Sequence, residues 1–213
     1  MKQPLIQQPL QPLVVAITGA SGAVYAIRLL EVLHATGIDV QLLISPSGQE
    51  VLKAELEIEV DLDDFDPASL LPPKDAANAA SKSGQIVYQH YNNFLAPIAS
   101  GSYLTSGMVI CPCSGSTLSG IAHGASNNLI QRAADVHLKE HRRLILVPRE
   151  TPLSVIQLDN MRAAAAAGAV VLPAMPGWYH GVRSVQDLID FVVARILDQL
   201  NIEHQLIRRW GEK

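Results

Sequence analysis

The stretch LVVAITGASG at residues 13–22 decides the fold. Its first five residues are apolar, as in a buried strand, and residues 18–22 are typical of a tight turn. Residues 21–35 then place apolar side chains at helical spacing, and Gly37 ends the predicted helix. A strand that runs through a glycine-containing turn into a helix is the first unit of a parallel α/β sheet.

The alternation of strand and helix continues toward the C-terminus. Further strands are predicted at 40–44, 86–88, 108–110, 144–147 and 169–172. Further helices are predicted after Ser45 and at 114–122, 128–141, 153–167 and 184–200. The pattern predicts an α/β fold with a Rossmann-like (flavodoxin-like) doubly wound parallel sheet in three α/β/α layers. We expect residues 1–12 to form a flexible tail, residues 13–213 a single domain, and the segment 57–83 to leave the sheet.

Composition and charge narrow the function classes. The chain has 213 residues, 48% hydrophobic and 17% charged, which favours one domain with a large core and a homo-oligomer. The formal net charge is -4 without a basic tract, which disfavours a nucleic-acid partner. We find no apolar stretch long enough for a membrane and no signal-peptide pattern. The sequence therefore predicts a cytoplasmic protein.

The cysteines, Cys111 and Cys113, follow an apolar run in the order Cys-Pro-Cys. A disulfide between residues so close would be strained, and no further Cys or His cluster completes a metal site. We therefore expect two reduced thiols and no bound metal.

Polar loops follow four of the predicted strands. They lie at 18–22, 45–47, 112–117 and 148–152 and carry Ser, Thr, Gly or Arg. In doubly wound sheets, ligands bind beyond the carboxyl ends of the strands at the switch point. Loops 18–22 and 114–117 also open helices, whose backbone N–H groups can hold an anion. Each loop alone could be a tight turn with an N-cap, but together they indicate a phosphate-bearing ligand.

A dinucleotide site is the first alternative, because the first loop resembles the nucleotide loop of short-chain dehydrogenases. Tyr25, however, stands where a third glycine would fall, and the second strand ends in Ser45 and not in an acidic residue. The Tyr-Lys pair of those enzymes, four residues apart, is also missing from the sequence. These departures disfavour a dehydrogenase.

Charged residues mark three further positions. Arg132 and Lys139 are spaced to share one helix face, and Asp135 could pair with Lys139. The alternative is a solvated helix face. Arg149 and Glu150 directly follow a strand at its carboxyl end, which favours a functional role over a structural ion pair.

Arg195 interrupts the apolar run FVVARIL at 191–197 of the last predicted helix. An arginine in such surroundings requires an anion or a cluster of carbonyl groups as its partner. An ion pair at a subunit interface is the competing interpretation.

Six motifs together are similar to those of the UbiX-type flavin prenyltransferases. They are TGASG at 18–22, CPCS at 111–114, NNLIQRAADV at 127–136, LKE at 138–140, VPRETP at 147–152 and PGWY at 176–179. The similarity runs from about residue 13 to Trp210, and the stretch 127–152 is its specific part.

The resemblance implies a homo-oligomeric, usually dodecameric, metal-independent enzyme with a single flavin-binding domain over 13–213. It implies transfer of a dimethylallyl group from dimethylallyl monophosphate to N5 and C6 of reduced FMN. The prenylated FMN would pass to a UbiD-type decarboxylase, often in ubiquinone biosynthesis.

The resemblance also assigns site residues by motif. Those that would hold FMN are Gly19, Ala20, Ser21, Ser45, Ser114, Gly115, Ser116, Thr117 and Arg149. Those that would surround the prenyl phosphate as catalytic or substrate-binding groups are Arg132, Lys139, Glu150, Tyr179 and Arg195, with Tyr179 and Arg195 its most direct ligands. Glu55 falls where the family has a catalytic glutamate near the flavin. Phe94 falls where the family often has Trp.

These residue types suit the chemistry. Breaking an allylic C–O bond builds negative charge on the phosphate, which fixed cations such as Arg132 can stabilise in place of a metal. Glu150 could exchange a proton with the phosphate, and Tyr179 could face an allyl cation.

Two further alternatives remain. A flavin-dependent cysteine decarboxylase of the phosphopantothenoylcysteine type would need a catalytic His and a Pro-x-Met-Asn loop, where this chain has PRETP at 148–152. A non-catalytic FMN carrier would not need the polar set at 132, 139, 150, 179 and 195.

Overall fold

The computed structural model describes residues 11–71 and 83–211. Most of the tail predicted at 1–12, and residues 72–82 of the segment 57–83, lie outside the described residues. Residues 57–71 do leave the sheet, and they include a 3-10 turn at Pro67–Leu70.

The sheet has six parallel strands. They are β1 (Leu13–Ile17), β2 (Val40–Ile44), β3 (Ile86–Tyr88), β4 (Gly107–Cys113), β5 (Leu144–Pro148) and β6 (Val170–Val171), in the spatial order β3-β2-β1-β4-β5-β6. This is the Rossmann order, and without the edge strand β3 it becomes the flavodoxin order. The chain builds outward from β1 to β3 and then returns to β4, so the switch point lies between β1 and β4. The predicted fold class is confirmed.

Six α-helices cover the two faces of the sheet within the described residues. They are α1 (Ala23–Ala35), α2 (Pro46–Leu56), α3 (Gly115–Ala122), α4 (Leu129–Lys139), α5 (Val155–Ala166) and α6 (Val185–Gln199). Successive strand side chains point to opposite faces. Val15 and Ile17 of β1 pack in one buried cluster with α1 and α6, whereas Val14 and Ala16 pack in another with α3 and α4. We call these the α1/α6 face and the α3/α4 face.

Helix starts follow from side-chain caps. Ser45, Ser114, Asn128, Ser154 and Ser184 each accept a backbone N–H from the first turn of a helix. The helices predicted from 114, 128, 153 and 184 therefore begin one or two residues too early, because the capping residue itself is not helical, whereas α2 begins directly after Ser45 as predicted. The helix predicted from residue 21 begins only at Ala23, because the φ of 115° at Gly22 is not a helical value.

Strand β4 extends through the Cys-Pro-Cys motif, three residues beyond the predicted 108–110. Its register with β5 shifts between Ile110 and Cys113. Because of this irregularity, Cys111 packs on the α1/α6 face and Cys113 on the α3/α4 face. Both thiols are free, as predicted, and both are buried. Burial raises the pKa of Cys113 to about 12, so this thiol stays protonated.

Candidate active site

The buried hydroxyl of Thr18 joins the ends of β1 and β4 at the switch point. Its Oγ1 donates to the carbonyl oxygen of Pro112 at 2.7 Å and accepts the backbone N–H of Ser114 at 2.8 Å. The first and third polar loops are therefore fixed against each other. The sequence shows Thr18 only as a turn residue, because partners more than ninety residues away leave no local pattern.

Two glycines let the second polar loop approach the first. A Cβ on Gly19 would lie 2.2 Å from Cβ of Ser47, and a Cβ on Gly48 would lie 2.5 Å from the carbonyl oxygen of Ile17. Ser45 caps α2 by accepting the N–H of Gly48 at 3.0 Å. The loops thus form one continuous surface. We call it the cradle and define it as residues 19–21, Ser45, residues 114–117 and Arg149.

The start of α3 is open to a ligand. Ser114 caps the helix and donates its hydroxyl to Oγ1 of Thr117 at 3.0 Å, while the side chain of Ser116 is exposed. A Cβ on Gly115 would meet one neighbour, Nε2 of Gln157, at 3.5 Å. A helix N-terminus with hydroxyls around it suits a phosphate group, so these residues fit the phosphate of FMN.

The start of α1 is filled by the chain's own carboxylate. Glu55 accepts the backbone N–H groups of Gly22 and Ala23, each at 2.9 Å from Oε2. Burial acts to raise the pKa of Glu55, but hydrogen bonds from Ser21 and these amides, with the charge of Arg149, outweigh it and hold the pKa below 4.5. The backbone N–H groups at the start of α1 thus hold an anion, and in this chain that anion is the carboxylate of Glu55.

Arg149 and Glu150 diverge at the end of β5. Nε of Arg149 donates to the carbonyl oxygen of Ser21 at 3.2 Å, so Arg149 lies in the cradle beside Glu55. Glu150 instead accepts from the N–H of Thr151 and from Nε2 of Gln157, both at 3.3 Å. Among the described residues the two do not pair with each other, so the structural ion pair is not formed. Gln157 lies between Glu150 and the start of α3, a position that no local sequence pattern indicates.

Arg132 and Lys139 share a face of α4, as predicted. Nε of Arg132 donates to the carbonyl oxygen of Ala99 at 3.1 Å, and Nζ of Lys139 lies beside Gly101. The predicted pair between Asp135 and Lys139 is wrong. Asp135 binds Nη1 of Arg132 at 2.8 Å, and Lys139 pairs with Glu140 at 2.6 Å. Asp135 does not bind Lys139 because its carboxylate already pairs with Arg132, which lies one helical turn earlier.

Arg195 finds its partner within its own helix. Its Nη1 binds Oδ2 of Asp198 at 2.6 Å, and its side chain lines a cavity of about 310 Å³ between β6 and α6. Asp198 also binds His204 at 3.0 Å and Arg209 at 2.8 Å. The sequence analysis missed Asp198, although a spacing of three residues on a helix is typical of such pairs.

Tyr179 precedes α6 on the connection from β6. Its exposed ring packs edge-on against Phe191 at a centroid distance of 5.8 Å and against Trp210 at 5.2 Å. Phe191 also borders the cavity that Arg195 lines. Tyr179 and Arg195 therefore flank the same aromatic side chain.

The candidate residues thus fall into two sets. The cradle and Glu55 are assembled within one chain around the switch point. The groups assigned to the prenyl phosphate are not, because Arg132 and Lys139 lie with α4 on the α3/α4 face, whereas α6 carries Arg195 on the α1/α6 face. One chain does not bring these cations together.

No group of three or more His, Cys, Asp or Glu side chains in residues 11–71 and 83–211 is placed to hold a metal ion. None of the helices in these ranges is long and apolar enough to cross a membrane.

A doubly wound sheet with this cradle at its switch point defines the chain as a mononucleotide-binding α/β protein. The family model described as Flavoprotein matches residues 3–197. The flavin prenyltransferase UbiX of Halalkalibacterium halodurans is 50% identical over 199 residues, which cover 93% of each chain.

Solved structures agree with this match. The crystal structure of AnUbiX (PadA1) in complex with FMN and dimethylallyl pyrophosphate has a TM-score of 0.82 and 36% identity, and the match covers 96% of this chain and 100% of that one. A dodecameric FMN-dependent UbiX-like decarboxylase from Escherichia coli O157:H7 has a TM-score of 0.79 and 37% identity, with 94% and 99% covered. The chain belongs to the flavin prenyltransferase family of flavoproteins. The resemblance found in the sequence is confirmed.

Proposed function

We propose that this protein transfers a dimethylallyl group from dimethylallyl monophosphate to N5 and C6 of reduced FMN and releases phosphate. The observation that carries the proposal is the cradle, fixed by Thr18 at the switch point, in a chain 50% identical to a flavin prenyltransferase. The crystal structure of a relative in complex with FMN and dimethylallyl pyrophosphate supports this choice of ligands.

In this proposal the cradle holds FMN. The open start of α3 and the hydroxyls of Ser114, Ser116 and Thr117 favour its phosphate, while Gly19 and Ala20 leave room beside the second loop at Ser45. Reduced FMN supplies the nucleophilic N5 and C6 when it is bound. Glu55, held as a carboxylate beside Ser21 and Arg149, can accept or return a proton.

The second set of residues serves the prenyl donor. When its C–O bond breaks, the electron pair leaves with the phosphate, and Arg132, Lys139 and Arg195 stabilise the growing charge without a metal. Tyr179 adds a hydroxyl to the same phosphate and presents its ring to the allyl group. Glu150, exposed beside Gln157, exchanges a proton with the departing phosphate.

We also propose that the donor site is shared between subunits of a homo-oligomer. One subunit would supply Arg132 and Lys139, and another would supply Tyr179 and Arg195, since these pairs lie on opposite faces of one chain. The dodecameric relative supports such an assembly. Large apolar side chains that are exposed in the single chain would be covered there, among them Leu95, Val155, Ile156, Met175 and Trp178.

The product is itself a cofactor. We propose that it passes in the cytoplasm to a UbiD-type decarboxylase, because nothing in the proposed reaction consumes the prenylated flavin. Ubiquinone biosynthesis is the pathway proposed for that decarboxylase.

The proposal is tested by incubating the protein anaerobically with reduced FMN and dimethylallyl monophosphate and then measuring the mass of the extracted flavin. We expect a gain of one C5H8 unit. Unmodified flavin in a protein that has bound FMN would overturn the proposal. That result would favour a non-catalytic FMN carrier.

Sharing between subunits is tested with Arg132→Ala and Arg195→Ala. We expect each variant alone to be nearly inactive and oligomers that mix the two to regain part of the activity, because some sites then combine two intact halves. Mixed oligomers as inactive as their parents would place all the donor groups in one subunit's site.

A further inference from the structure

Residues 91–105 form a segment with little regular structure apart from a 3-10 turn at Pro97–Ala99. The segment carries Phe94 and Leu95, whose side chains are 46% and 96% exposed. It is bound along the length of α4, which carries Arg132 and Lys139. Its position therefore matters to the donor site proposed above, on which the following inference rests.

The attachments begin at the start of α4. The N–H of Leu129 donates to the carbonyl oxygen of Tyr91 at 2.7 Å, and one turn later Arg132 donates from Nε to Ala99. Near the end of α4, Nε2 of the buried His137 meets the hydroxyl of Thr105 at 2.8 Å. The segment thus runs parallel to the helix and is held at intervals along it.

Arg142, just beyond the end of α4, makes the last of these attachments to the segment. Its guanidinium group donates from Nη1 to the carbonyl oxygen of Tyr103 at 2.7 Å and from Nη2 to that of Gly101. A guanidinium group carries its donors in a rigid planar fork, so two carbonyl bonds fix both the distance and the direction of the chain between them. Arg142 therefore sets where Gly101 lies.

The place of Gly101 in turn fixes the end of the Lys139 side chain. A Cβ on Gly101 would lie 2.1 Å from Oε1 of Glu140 and 3.0 Å from Nζ of Lys139, so both side chains pack directly on this residue. Glu140 holds Nζ at 2.6 Å. Any shift of the segment would move the ammonium group relative to Arg132.

Arg132 keeps donors for a ligand despite its own bonds. It uses Nε for Ala99 and Nη1 for Asp135, and a guanidinium group has five N–H donors. A phosphate group bound by both residues would have to span the distance between the unused donors of Arg132 and Nζ of Lys139. That spacing depends on the segment between them.

We propose that Arg142 is a positioning residue for the donor site: by holding Gly101 and Tyr103, it fixes Lys139 against Arg132 so that both can bind one phosphate group. It touches neither FMN nor the donor in this proposal. Its loss should therefore weaken donor binding and leave the cradle unchanged.

The test compares Arg142→Ala, Arg142→Lys and Arg143→Ala. Arg143 is the exposed next residue and serves as the matched control. We expect Arg142→Ala to raise both the KM for dimethylallyl monophosphate and its Kd, measured by calorimetry on FMN-loaded protein, by roughly 10- to 100-fold, since a displaced Lys139 would lose its charge-assisted hydrogen bond to the phosphate. The Kd for FMN should stay unchanged, kcat should change less than KM, and Arg142→Lys should recover part of the loss.

Gly101→Ala is the second variant, and it leaves Arg142 intact. Its methyl group would displace the segment from Glu140 and Lys139, so we expect the same rise in the Kd of the donor. If both variants matched Arg143→Ala, or if they weakened FMN as much as the donor, the positioning role would be overturned. Failure of the proposed function would look different, because the wild-type protein would then bind both ligands without changing the mass of the flavin.

Discussion

The cradle and the donor groups are fixed in different ways. In the cradle, bonds join residues far apart in the chain, as when Thr18 binds Pro112 and Glu55 binds Gly22. Two of the donor cations, Arg132 and Arg195, instead each pair with an aspartate three residues further along, Asp135 and Asp198. The residues assigned to FMN are therefore brought together within one chain, whereas the cations assigned to the donor lie on opposite faces of it.

The strongest test of this difference compares Arg195→Ala with Ser21→Ala. We expect Arg195→Ala to lower the rate of flavin alkylation at saturating substrate by about 10²–10³-fold, the cost of one lost donor to a leaving group, with little change in the Kd for FMN. Ser21→Ala should weaken FMN and keep the rate when saturated. The Kd comes from fluorescence titration and the rate from absorbance.

Arg162→Ala, on the exposed side of α5, is the control for a lost surface charge. If Arg195→Ala lost FMN as severely as Ser21→Ala and still alkylated at the normal rate, Arg195 would belong to the cradle or to a subunit interface.

A smaller effect is expected from Gly48→Ala. The added methyl group would press on the carbonyl oxygen of Ile17, and overpacking of this kind costs about 1–3 kcal/mol. Denaturant unfolding without FMN measures the change. Gly115→Ala is the matched control, since its methyl group would meet Nε2 of Gln157 at 3.5 Å, an ordinary contact distance, and should leave the free energy of unfolding nearly unchanged. Equal losses in both variants would show that contact between the first two loops is not what stabilises the cradle.

The free energy of unfolding at acid pH tests the contribution of Glu55. Its pKa is lower in the folded protein than the ordinary 4.5, so its contribution to stability is complete above pH 4.5 and is lost as the pH falls through the folded pKa. Glu55→Gln should flatten the profile below pH 4.5. Glu50→Gln, an exposed change on the same helix, should not. A profile for Glu55→Gln that still falls like that of the wild type would remove Glu55 from the cradle's electrostatics.

No effect at all is expected from a chelator. In the proposed donor site, Arg132, Lys139 and Arg195 would supply the positive charge that a metal would bring to the phosphate. Turnover measured with EDTA should equal turnover without it. Loss of turnover on chelation, with recovery on addition of Mg²⁺, would show that these cations are insufficient.

The sequence predicts the fold well where the signals are local. The turn at 18–22, the serine caps and the apolar runs lie within a few residues of the boundaries that they set. The strand predicted at 108–110 is shorter than β4, which continues to Cys113. The prediction stopped at residue 110 because a proline between two cysteines is unusual inside a strand.

The site is predictable only in part. The cradle residues lie in strand-end loops, so the topology brings them together once the sheet is known. Thr18, Gln157 and Asp198 were missed because their partners are set by tertiary contacts or by competition between nearby charges, as when Asp135 binds Arg132 and not Lys139. The sequence pattern of a single helix does not show which face of the sheet that helix covers, so it could not predict that α4 and α6 carry their cations on opposite faces.

The carboxylate of Glu55 at the start of α1 also gives the crevice an orientation. A phosphate group that approached this end would meet a negative charge that already holds the amides of Gly22 and Ala23. The start of α3 offers the opposite sign, so we expect a ligand with one anionic end to place that end at α3 and not at α1.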